Sequence, residues 1–105
     1  MKEITSVELK TKIDNKEDFQ LIDVRELYER EISDIGGELI PMGEIMDNVD
    51  KISKDKSVIF YCRHGAMSQI VVQALEARFD FSNLYQLKGG IIAWADEIDP
   101  SLPLY

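Results

Sequence analysis

Apolar positions along the chain gather into four short runs separated by longer amphipathic stretches: Gln20-Leu21-Ile22-Asp23-Val24, Glu38-Leu39-Ile40-Pro41, Ser57-Val58-Ile59-Phe60-Tyr61 and Leu84-Tyr85-Gln86-Leu87. Their length and their β-branched or aromatic content are those of strands. Ser57–Tyr61 is the most uninterrupted, as expected of a central parallel strand covered on both faces. Between the runs the pattern turns helical. Thr5-Ser6-Val7-Glu8 reads as a capping box opening a first helix, with Leu9 and Ile13 one turn apart on its inward side. A charged helical stretch from Glu26 to Ile32 stops at Gly36-Gly37, and Glu44 to Ile52 reads as a helix with Ile45 and Val49 on one side. From Ser68 to Phe79, Ile70, Val71, Ala74 and Leu75 oppose Gln69, Gln73 and Glu76. Gly89-Gly90 turns the chain into a last helix carrying Ala93, Trp94 and Ile98. Strands alternating with helices in this way predict an α/β fold. Residues 1–105 form one domain, a mostly parallel sheet of about five strands flanked by helices through right-handed crossovers.

Composition narrows the class. With 45% hydrophobic and 30% charged residues in 105, the chain suits a single ordered domain. Twelve basic against twenty acidic side chains give a net charge of −8, which argues against nucleic acid or an anionic membrane as the main partner. Eight acidic residues fall between Asp23 and Asp47 against Arg25 and Arg30, either a solvated face or a docking surface for a basic partner. Met1-Lys2-Glu3-Ile4 lacks the apolar run of a signal peptide and no stretch approaches a membrane span, so a cytoplasmic location is expected. One cysteine and one histidine, Cys62 and His64, exclude an internal disulfide and a closed zinc site of such ligands. No metal or cofactor is expected.

The cysteine lies directly after the most strand-like run, where parallel sheets place their ligands. In Cys62-Arg63-His64-Gly65-Ala66-Met67-Ser68 a buried strand leads within a few residues into a helix, and Gly65 allows the tight curl this requires. Successive amides in such a curl form an anion-binding nest reinforced by the helix N-terminus. A thiol there is favoured as its thiolate, with Arg63 adding positive charge beside it. Cys62 is therefore a candidate nucleophile, against the plainer reading of a small buried apolar residue. His64 either lines the site or faces solvent. Ser68 either donates a hydrogen bond to the sulfur or caps the helix.

Three segments carry a resemblance: LIDVRELYEREISDIGGELIP from Leu21, FYCRHGAMSQ from Phe60 and LKGGIIAW from Leu87. In this order and spacing they resemble a single rhodanese-like sulfurtransferase domain along nearly the whole chain. The resemblance is closest to the rhodanese domain fused behind ubiquitin-activating-like adenylyltransferases that serve sulfur-carrier proteins. It implies that Cys62 accepts a sulfane sulfur as a persulfide, that amides from Arg63 through His64, Gly65 and Ala66 to Met67 cradle the terminal sulfur, and that Arg63 attracts anionic donors or acceptors. The implied partners are a sulfur donor, thiosulfate or a protein persulfide, and a sulfur-carrier or adenylyltransferase protein. Gly89, Gly90 and Trp94 read as architectural.

Asp23, Arg25 and Glu29 match the family's D-V-R-E-x-x-E segment, as ion-paired supports of the neighbouring loop or, for Arg25, as a group facing the pocket. Many relatives carry arginine or threonine where this chain has Met67, so weak thiosulfate:cyanide activity is expected. A cysteine phosphatase is disfavoured, because the oxyanion-clamping arginine would stand six positions after Cys62, at Ser68. A non-catalytic binding module remains the rival reading.

Overall fold

The computed structural model describes residues 2–105. Its strands are β1 (Lys2–Ile4), β2 (Phe19–Asp23), β3 (Glu38–Leu39), β4 (Ser57–Tyr61) and β5 (Leu84–Leu87). They pair in the order β1-β5-β4-β2-β3, every pair parallel. β4 is the middle strand, as its unbroken apolar run predicts. Helices α1 (Ser6–Asp14), α2 (Leu27–Ile32) and α3 (Ala66–Arg78) and a 3-10 run at Met42–Lys51 fill the crossovers, and helix α4 (Gly90–Glu97) follows β5.

Alternation along β4 divides the interior. Val58 and Phe60 face a layer built with Val71, Val72 and Leu75 of α3 and with Ile45 and Ile52 of the 3-10 region. Ile59 and Tyr61 face Leu9 of α1 and Ile91 and Trp94 of α4. Val58, Ile59 and Phe60 are wholly buried, and each such side chain contributes about 1.5–3 kcal/mol. The strand that delivers Cys62 is thus among the most firmly held parts of the molecule.

The capping box forms as read. Thr5 Oγ1 accepts from the Glu8 N–H at 3.1 Å, and Glu8 Oε1 accepts from the Thr5 N–H at 3.0 Å, which also holds the Glu8 carboxyl below its ordinary pKa. Four expectations are corrected. Glu44–Ile52 is not a regular α-helix but part of the 3-10 run, broken at Asn48 (φ −126°, ψ 25°). Asn48 Nδ2 donates to the Glu44 carbonyl at 2.7 Å, a side-chain competitor for the helical ladder. Ile13 is exposed rather than inward, and so is Ile70 on α3. Helix α3 starts at Ala66, two residues ahead of Ser68, with Gly65 as its N-cap. Strand β1 falls in a segment whose sequence suggested no element, and it gains its order by pairing with β5. Among the described residues no helix is long and apolar enough to cross a membrane.

Candidate active site

Cys62 follows β4 and is 2% exposed. Its Sγ accepts from the Gly65 N–H at 3.0 Å and from the Ser68 N–H at 3.4 Å. Gly65, at φ +107°, caps α3 without any side-chain acceptor. The sulfur takes that place, accepting from the third helical amide as a serine or aspartate N-cap oxygen would. The N-cap amide and the third amide of α3 thus both end on the sulfur. A second helix closes the loop from the other side. At the N-terminus of α4, the Ile91 N–H donates to the Cys62 carbonyl at 2.9 Å and the Ile92 N–H to the Arg63 carbonyl at 3.2 Å. Gly90, at φ +61°, sits so close beneath that a Cβ there would stand 2.5 Å from both carbonyl oxygens.

Ser68 is the third residue of α3, so it is not the cap. Its Oγ lies 3.5 Å from Cys62 Sγ, with the Gly65 carbonyl and Gln86 Oε1 each 3.1 Å away as acceptors for the hydroxyl. Gln86 of β5 is buried, and its Nε2 donates to Glu3 Oε2 at 2.6 Å. A chain of hydrogen bonds thus runs from sulfur through Ser68 and Gln86 to a carboxylate on β1. Gln86 and Glu3 escaped the sequence reading. The available signal was a glutamine inside an otherwise apolar strand, where a buried amide must have partners.

The other loop residues diverge. Ala66 and Met67 form the first helical turn, and Met67 is half-buried against the layer beneath α3. His64 is exposed and lines a groove of about 590 Å³ with Ile92, Ala93, Asp96, Pro100 and Leu104. Among the described residues no hydrogen bond joins it to Cys62. The Arg63 guanidinium stands over the Tyr105 ring, 4.8 Å from its centroid.

Asp23 and Arg25 form a buried support beside this loop. Arg25 is fully buried and all five of its N–H groups are taken up. Nε and Nη2 grip both Asp23 oxygens at 2.9 Å, and Nη2 also donates to the Ser33 carbonyl at 2.6 Å. Nη1 donates to Tyr105 Oη at 2.9 Å and to the Glu29 carbonyl at 3.4 Å. Burial works against the charge, yet the hydrogen bonds to Asp23 and Tyr105 outweigh it and hold Arg25 above its ordinary pKa. No N–H of Arg25 remains to face a ligand, since all are spent on Asp23, Glu29, Ser33 and Tyr105. Tyr105 Oη donates to Glu29 Oε2 at 2.8 Å, and burial pushes its phenol upward in pKa.

A hollow of about 480 Å³ lined by Phe19, Gln20, Lys51 and Lys56 opens at the amino-terminal ends of β2 and β4, away from Cys62. Among the described residues no group of three or more histidine, cysteine, aspartate or glutamate side chains is placed to hold a metal ion.

Residues 5–97 match the family described as Rhodanese-like domain. A probable adenylyltransferase/sulfurtransferase MoeZ from Mycobacterium tuberculosis is 34% identical over 97% of the chain, and the match covers 26% of that protein. The adenylyltransferase and sulfurtransferase MOCS3 of Drosophila yakuba is 39% identical over 81% of the chain and 20% of its own length. The chain thus spans about a quarter or less of these curated relatives. Among solved structures, a rhodanese-like domain protein from Staphylococcus aureus superposes with a TM-score of 0.83 at 35% identity, covering 100% of this chain and 99% of that one. SSP1007 from Staphylococcus saprophyticus gives 0.82 at 33% identity over 99% and 100%.

Proposed function

The chain belongs to the rhodanese-like domain family, and from that premise we propose that it is a sulfurtransferase carrying sulfane sulfur as a persulfide on Cys62. The observation that carries the reading is the sulfur itself, seated at the end of the central strand and accepting N–H groups from Gly65 and Ser68. The Cys62 thiolate attacks the outer sulfur of a donor such as thiosulfate or a protein persulfide. A new S–S bond forms, the donor's own S–S bond breaks, and sulfite or the donor thiolate leaves with the electron pair. An acceptor nucleophile then takes the terminal sulfur and Cys62 departs as thiolate, so the two steps are redox-balanced and need no cofactor.

The amides supply the stabilisation. Gly65 and Ser68 hold the inner sulfur, and the Ala66 and Met67 amides in the first turn of α3 lack intrahelical acceptors and are free for the terminal one. Arg63 is the cation next to the nucleophile. Met67 offers neither charge nor hydroxyl to a small dianion, which favours a protein persulfide over thiosulfate. The names of the relatives pair sulfurtransferase with adenylyltransferase, and a sulfur-carrier or adenylyltransferase protein is the partner this reading assigns.

Intact-mass measurement after incubation with thiosulfate, or with a cysteine-desulfurase system, tests the proposal. The expected result is a gain of one sulfur atom that reductant removes and Cys62→Ser abolishes. No gain from either donor would sink it and leave a binding module in its place.

A further inference from the structure

We infer that Tyr105 is the positioning residue for Arg63, and through it a determinant of the charge of the donor that the Cys62 loop takes. The inference rests on Cys62 being the reacting group of the proposed function, but not on sulfur transfer itself.

Arg63 is adjacent to the nucleophile, yet its side chain is not fixed as a catalytic arginine usually is. Its Nε is buried and has no hydrogen-bond partner. The contact that holds the head is the Tyr105 ring, with the Arg63 Cζ 4.8 Å from the centroid, well within cation–π reach. That ring is held in turn. Its hydroxyl accepts from Arg25 Nη1 at 2.9 Å and donates to Glu29 Oε2 at 2.8 Å. Arg25 is itself clamped on Asp23 and stands 5.8 Å from the same ring. The tyrosine therefore joins two arginines, one locked beneath the loop and one next to Cys62 in sequence. With Tyr105 seated, the Arg63 charge occupies one place relative to Cys62. Without it, a long flexible side chain with no other anchor swings into solvent, where its field at the sulfur is screened.

Competing alkylation reads the field directly. Iodoacetate and iodoacetamide transfer nearly the same group to a thiolate, but only the first is an anion. The ratio of their second-order rates at Cys62 reports the local charge, whereas changes in access or folding move both rates together. At low ionic strength Arg63→Gln should lower the ratio roughly threefold, the order expected on removing one charge from the residue next to the thiol in a high-dielectric setting. Tyr105→Ala should lower it by a comparable factor although the arginine is retained. Tyr105→Phe, which keeps the ring, should stay within about twofold of the unmodified protein. An unchanged ratio in Tyr105→Ala alongside a fall in Arg63→Gln would overturn the inference. So would a Tyr105→Phe variant that falls as far as alanine, or an Arg63→Gln variant that does not fall at all. Failure of persulfide loading in the mass experiment, with these ratios as expected, would remove the sulfur-transfer reading and leave the Tyr105–Arg63 coupling standing.

Discussion

Replacing Gly90 by alanine should unseat the Cys62 loop from below, and the magnitude can be worked by comparison with a second positive-φ glycine that lacks the close contact. Gly36 and Gly90 both lie at positive φ, +93° and +61°. A Cβ at Gly36 meets nothing within 4 Å, whereas at Gly90 it would stand 2.5 Å from the Cys62 and Arg63 carbonyl oxygens and 2.6 Å from the Arg63 carbonyl carbon. The left-handed conformation costs an alanine about 1–2 kcal/mol, offset by roughly 0.4–1 kcal/mol from the stiffer unfolded chain. Gly36→Ala should therefore lose about 1 kcal/mol. Gly90→Ala carries the same strain and a collision with backbone that no rotamer relieves. To reach ordinary contact distance α4 must withdraw from the loop, breaking the Ile91-to-Cys62 and Ile92-to-Arg63 hydrogen bonds at 2.9 and 3.2 Å. Two buried bonds left unmade cost about 1–3 kcal/mol each. The sum is about 3–7 kcal/mol, against a total stability of about 5–15 kcal/mol for a domain of this kind. Urea unfolding of both variants measures the difference. A Gly90→Ala variant within about 1 kcal/mol of Gly36→Ala would refute the claim that α4 is packed on the loop backbone.

Two further outcomes are expected. Arg25→Lys keeps the charge but supplies three donors where five are used, leaving the buried Asp23 carboxylate under-bonded, so the urea midpoint should fall by an amount worth about 2–4 kcal/mol; a loss under about 1 kcal/mol would contradict the buried-clamp account. Burial, and then the negative charge of Asp23, push the Tyr61 phenol above its ordinary pKa, so its contribution is fully present below the unfolded value of about 10 and is lost as pH rises from there. Melting temperatures recorded across that window should fall less steeply for Tyr61→Phe, and parallel slopes would refute the assignment. At neutral pH the same variant loses about 1 kcal/mol with the 2.9 Å hydrogen bond to the Gly36 carbonyl.

What the sequence revealed and what it hid have separable causes. β4 and its loop were legible because strand, cysteine, glycine and helix start are consecutive, so local rules sufficed. Helix periodicity misplaced Ile13 and Ile70, since a matching spacing says which residues share a face but not whether another element covers it. The 3-10 run was read as a regular helix because the break at Asn48, with its side-chain bond to the Glu44 carbonyl, leaves no mark in the apolar spacing. β1 was invisible for the opposite reason. Lys2, Glu3 and Ile4 have little propensity of their own, and their strand exists through pairing with Tyr85, Gln86 and Leu87. The same long-range pairing brings Glu3 to Gln86, and packing of the tail brings Tyr105 to Arg63. Residues supporting the site across more than about twenty positions were thus beyond any window that reads neighbours.

The position of the sulfur ties fold to chemistry more closely than a nucleophile merely placed at a sheet edge. Cys62 Sγ is the acceptor that α3 uses at its own N-terminus, because Gly65, needed for the turn at φ +107°, brings no side chain to do so. The interactions that finish the helix are therefore the same ones that seat the sulfur. Adding a terminal sulfur moves negative charge one bond outward, toward the remaining amides of that turn. On the proposed function such a site would need neither a second cysteine nor a paired histidine, and His64 lines the α4 groove instead. The capping by sulfur also explains why serine is the informative replacement at position 62. Its oxygen can still cap α3, so a loss of sulfur loading in Cys62→Ser reports chemistry rather than a frayed helix, whereas alanine would remove the cap as well, at about 1 kcal/mol.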